Sequence, residues 1–152
     1  MNYQQQSMVG ATGVELVVGL YDAAIRSLYR AKQSVAEDDI HGRRVAVRKV
    51  IDILMYLQAR LRPDVGGAPA VALADFYAAM FTMTLEASHI ASAEGFEEVI
   101  ACVKNVRDAW VIVSQDPEAG KVLSRELRTR EETFVPSVAA VEVQSLAARW
   151  SA

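Results

Sequence analysis

Four stretches of about twenty residues, each with apolar side chains recurring every three or four positions, limit what this 152-residue chain can fold into. The first opens on Thr12-Gly13-Val14-Glu15, a Thr-x-x-Glu capping box ahead of an apolar run, and extends to residue 36. After the acidic 37–39, the second spans 40–62 and ends at Pro63, with Gly66, Gly67 and Pro69 making the loop. The third covers 70–91. The fourth covers 95–114 and stops before Asp116-Pro117. No stretch alternates with period two for long, so strands are not expected. Short connections between long helices favour antiparallel neighbours. The expectation is an all-α, antiparallel up-and-down four-helix bundle over residues 1–115, with a short N-terminal segment, followed by a C-terminal extension, 116–152, that is helical or partly disordered. In that extension Ala139, Val143, Leu146 and Trp150 would share one helix face.

The helices are more apolar than a surface helix requires. In ELVVGLYDAAI, residues 15–25, one stripe holds Val17, Leu20 and Ala24, and a second beside it holds Val18, Tyr21 and Ile25, with Val14 just ahead of the run. Together they cover about half the circumference, against the ~100° of an ordinary amphipathic helix. Asp22 falls between them. In the second helix Val47, Val50, Leu54, Leu57 and Leu61 form a core row, while Ile51 and Met55 spill over one edge. In the third, Leu73, Phe76, Tyr77 and Met80 suffice for a core, and Phe81 and Leu85 lie outside it. One explanation is a bundle whose helices touch neighbours on two sides. The other is a groove that receives a partner's amphipathic helix. An empty groove of that kind would exceed the apolar patch a monomer tolerates, which makes Tyr3 and Met8 in the N-terminal segment, or the C-terminal extension, candidate covers.

Composition narrows the chemistry. The formal net charge is −3 and the pI near 5.4, so no general basic field for nucleic acid is available. The start, MNYQQQS, lacks the charged and apolar regions of a secretory signal, and a cytoplasmic location is expected. The most apolar segment, 69–91, carries Asp75, Glu86 and His89, each costly at bilayer depth, which argues for a buried helix rather than membrane insertion. The single cysteine, Cys102, lies in the apolar run VIACV and reads as a small hydrophobe. Glu86 and His89 have the Glu-x-x-His spacing of ferritin-like di-iron bundles, but a second copy is missing; Asp38 and His41 sit at a helix start. Nothing matches a phosphate-binding glycine loop, and a lone His41 is weak ground for phosphoryl chemistry. A metal-binding bundle and a homodimer that buries its apolar faces are the alternatives to a binding protein.

Taken in order, several of these residues resemble the FliS family of flagellin export chaperones. The resemblance begins at Asn2-Tyr3-Gln4-Gln5 and continues through Glu15-Leu16-Val17, Leu20-Tyr21-Asp22 and Ala24-Ile25. It is carried further by Lys49-Val50-Ile51-Asp52-Ile53-Leu54, by Phe76-Tyr77 before Leu85-Glu86-Ala87, and by Val106-Arg107-Asp108-Ala109-Trp110. Ala23 stands where that family usually has glycine. The resemblance implies a bundle without catalytic activity or cofactor that binds the disordered C-terminal segment of flagellin in the cytoplasm. That would prevent early polymerisation and aid delivery to the flagellar export gate. On this reading Val18, Tyr21, Asp22, Ile25, Ile51, Met55, Phe81 and Leu85 form the client surface. Tyr3 and Met8 form its displaceable cover.

Overall fold

The computed structural model describes residues 13–115. They form α1 (Gly13–Ala36), α2 (Ile40–Ala59), α3 (Pro63–His89) and α4 (Ala93–Ser114), with no strand among the described residues. Each helix packs against its neighbours in sequence, and α1 closes the ring against α4. The α1/α4 seam shows the antiparallel direction directly. Arg107 Nε donates to Asp22 Oδ1 at 2.8 Å, Lys104 Nζ donates to the Tyr29 hydroxyl at 2.7 Å, and Lys32 pairs with Glu97. Residue numbers rise on α1 as they fall on α4. Thr12 and the extension 116–152 lie outside the described residues, as do the capping box and the terminal helix face read from them.

The α1–α2 and α3–α4 turns share one construction. Asp38 and Ala91 adopt left-handed backbone conformations, φ 54° and 50°. Around the first, Asp39 N–H reaches Ser34 C=O and Asp38 N–H reaches Val35 C=O; around the second, Ser92 reaches Ala87 and Ala91 reaches Ser88. These are the paired hydrogen bonds of a Schellman ending. The next residue then caps the following helix: Asp39 Oδ1 accepts from Gly42 N–H and Ser92 Oγ from Gly95 N–H, both at 2.9 Å. The repeated pattern is a cap, two residues and a glycine.

At Gly95 the glycine is required by packing. A Cβ there would stand 2.8 Å from Ala87 Cβ and 3.3 Å from Ala87 Cα, so α3 and α4 touch backbone to backbone. Gly19, in the middle of α1, has open space where a Cβ would go. Gly95→Ala should therefore lower stability by about 1–2 kcal/mol, overpacking outweighing the better helix propensity of alanine. Gly19→Ala should raise it by up to about 1 kcal/mol. Denaturant midpoints moving the same way for both would refute the close approach.

Two sequence expectations need correction. Helix α2 ends at Ala59 rather than residue 62. Helix α3 begins at Pro63, not at residue 70, because proline suits the first helical position, where its missing N–H costs nothing. The Gly-Gly-x-Pro stretch is thus no loop. It produces a kink at Gly67, whose φ of 65° and ψ of −150° are open to glycine and strained for other residues, and the helix resumes through Pro69.

The core is one cluster drawn from all four helices, including Leu28, Leu54, Phe76, Met80, Phe96 and Val106. Of the expected core row of α2, Val47, Val50, Leu54 and Leu57 are buried, while Leu61 lies past the helix end and is half-buried; the row of α3, Leu73, Phe76, Tyr77 and Met80, is buried. At the centre, the Tyr21 and Tyr77 hydroxyls hydrogen-bond at 2.7 Å, joining α1 to α3. The Phe76 and Tyr77 rings pack tilted, 5.7 Å between centroids.

Candidate functional site

The residues read as a client surface separate into three groups. Met55 and Leu85 are exposed, at 57% and 43%. Val18, Ile51 and Phe81 are half-buried, packed against the core while still reaching solvent. Tyr21 and Ile25 are buried, at 1% and 8%, which corrects the expectation that they line an open edge. The reason is the ring of four helices. Helix α1 touches both α2 and α4, so its buried arc straddles the two stripes, taking Val14, Tyr21, Ile25 and Leu28 together with Ala24 and Ala31, and leaving Val17 and Leu20 only half-buried. Tyr3 and Met8 lie outside the described residues.

Asp22 is half-buried and pairs with Arg107, the two side chains being 36% and 33% exposed. The carboxylate inside the apolar ELVVGLYDAAI run therefore belongs to the α1/α4 seam. Its hydrogen bond is also the main influence raising the Arg107 pKa.

Further apolar side chains missed by the sequence reading are exposed: Tyr56 and Val71 at 38% and 46%, and Ile112 at 62%. Each stands apart from a core row, a signal available from periodicity but shared with many ordinary surface positions. Helix α3 is the most unusual element. It has three carboxylates, Asp64, Asp75 and Glu86, and no Lys or Arg from Pro63 to His89. By length and composition alone Gly66–His89 could cross a membrane, and only 39% of its most apolar window is buried. Helix α3 nevertheless packs between α2 and α4, and Asp75 and Glu86 face solvent.

The sequence offered a metal-binding bundle as an alternative. Glu86 and His89 are exposed, and among the described residues no three His, Cys, Asp or Glu side chains converge to hold an ion. Cys102 is half-buried against the core.

The geometry defines a helical bundle with apolar side chains exposed on α2 and α3, and its described residues gather no His, Cys, Asp or Glu cluster able to hold a metal. The profile of the family described as "Flagellar protein FliS" matches residues 1–117. The chain is 29% identical over 111 residues to the "Flagellar secretion chaperone FliS" of Salmonella typhimurium, an alignment covering 72% of this chain and 82% of that protein. The chain belongs to the FliS family.

Proposed function

We propose that this protein is a cytoplasmic flagellar secretion chaperone that acts by binding alone, holding the C-terminal segment of flagellin until the export gate receives it. The family match across residues 1–117 carries this reading. The client surface is the solvent-reaching part of the apolar edges, running along the bundle from Met55 near the end of α2 to Leu85 near the end of α3, with the half-buried Val18, Ile51 and Phe81 contributing to it. Tyr21 and Ile25 support it from the core, and Tyr3 and Met8 cover it when no client is present. A disordered client loses conformational entropy on folding against the chaperone, so binding needs extended apolar burial. An apolar helix without Lys or Arg, carrying the exposed Val71 and Leu85, supports that demand.

Calorimetry of the full chain with the flagellin C-terminal segment tests the proposal. Binding at micromolar concentrations or tighter is expected. The double variant Met55→Asp/Leu85→Asp should weaken it by roughly 100-fold, at about 1.5 kcal/mol for each apolar side chain no longer buried, with the bundle still folded. No binding by the folded wild-type chain would overturn the function. Undiminished binding by the double variant would overturn the surface.

A further inference from the structure

A second surface lies between α1 and α2, away from the residues assigned to the client. Two clefts of about 440 and 520 Å³ meet there, sharing Arg30 and Lys49 as lining residues. Together they run from Ala23 to Glu37 along α1, roughly 20 Å at 1.5 Å per residue. Small side chains keep the furrow open: Ala23, Ser27, Ser34, Gly42 and Ala46 line it.

Its walls are basic and apolar in a definite order. On α2, Val45, Lys49 and Ile53 follow one another at i, i+4 and i+8, so a cation stands between two apolar side chains on one stripe. On α1, Arg26 and Arg30 stand one turn apart. None of Arg26, Arg30 and Lys49 has an ion-pair partner among the described residues. Of the two carboxylates in the furrow, Asp52 pairs with Arg48 at 3.6 Å, while Glu37 accepts from the neutral Gln33 Nε2 at 2.9 Å and keeps its charge. Three unpaired cations against one uncompensated carboxylate, Glu37, leave the furrow net positive in an acidic protein.

We propose that this furrow docks an acidic amphipathic helix, carboxylates at i and i+4 meeting Arg26, Arg30 and Lys49, and apolar side chains seating on Val45 and Ile53. Charge complementarity and length select that occupant. A furrow of roughly 20 Å accommodates about 14 helical residues. A nucleic acid or an anionic membrane would extend past the Glu37 end onto the exposed Asp38 and Asp39, which repel phosphate. The inference rests on this furrow's charge and shape and is independent of the flagellin reading.

The test titrates the isotope-labelled full chain with a synthetic helical peptide of about 14 residues. The peptide carries glutamates at i, i+4 and i+8 among leucine and alanine. NMR shifts should concentrate on Arg30, Val45, Lys49 and Ile53, and affinity should fall with added salt. Arg30→Glu/Lys49→Glu should weaken binding at least ~10-fold, by like-charge repulsion. Arg60→Glu at the far end of α2, and Met55→Asp/Leu85→Asp, should leave it unchanged. Shifts centred elsewhere, equal binding of a glutamine-for-glutamate peptide, preference for a heparin oligosaccharide, or no binding near millimolar peptide would each overturn the proposal.

Discussion

Ile25→Asp should unfold the bundle, or bring it close to unfolding, at neutral pH. Ile25 is 8% exposed and belongs to the core cluster. The substitution removes a large apolar side chain and places a carboxylate in the apolar core cluster. Losing the aliphatic burial costs a few kcal/mol, and burying an unpaired charge adds several more unless the group takes up a proton. A total above about 4 kcal/mol is comparable to the whole stability of a small domain. Met55→Asp is the control, since that side chain is 57% exposed and the change should cost less than about 1 kcal/mol. Far-UV circular dichroism with urea titration separates the two. A wild-type midpoint for Ile25→Asp would return Ile25 to an open edge and reopen its assignment to client contact.

That contrast marks where the sequence stops being informative. Helical periodicity locates the stripes of α1 but not their orientation, because a helix in a four-membered ring buries the boundary between two stripes. In α2 and α3 a single dominant row, Val47 to Leu61 and Leu73 to Met80, left no such ambiguity, and both are buried except at Leu61, past the end of α2. Asp22 could be noticed as a carboxylate in an apolar run, but its partner Arg107 lies 85 residues away and becomes a neighbour only when α4 closes on α1. The start of α3 was misjudged for a local reason. Gly-Gly-x-Pro carries every signal of a loop, yet Pro63 can begin a helix and only Gly67 leaves helical conformation. The basic furrow was out of reach because it joins residues of two helices across a turn whose geometry depends on Asp38 and Asp39.

The Tyr21–Tyr77 pair should make the fold sensitive to alkali, and its two hydroxyls should prove strongly non-additive. Burial is the largest influence on both phenols and pushes the pKa of each above the ordinary value of 10.0. For Tyr21 the neighbouring Tyr77 adds to the increase. Trp110 acts against it weakly, its buried Nε1 having no partner at hydrogen-bond geometry. Below about pH 10 the phenols are protonated in folded and unfolded chains alike and contribute no pH dependence. Above it the unfolded chain releases both protons while the folded chain retains them, so the unfolded state binds fewer protons and stability falls. The slope is about 1.4 kcal/mol per pH unit for each phenol, or about 5 kcal/mol for the pair by pH 12. Urea midpoints at rising pH measure this. Tyr21→Phe/Tyr77→Phe should lose that part of the decline, and an unchanged profile would refute the buried pair. At neutral pH, Tyr21→Phe alone strands the Tyr77 hydroxyl and should cost about 1–3 kcal/mol, whereas the double variant removes donor and acceptor together and should lie near wild type. A double-mutant cycle with additive costs would mean that the two hydroxyls do not depend on each other in the folded core.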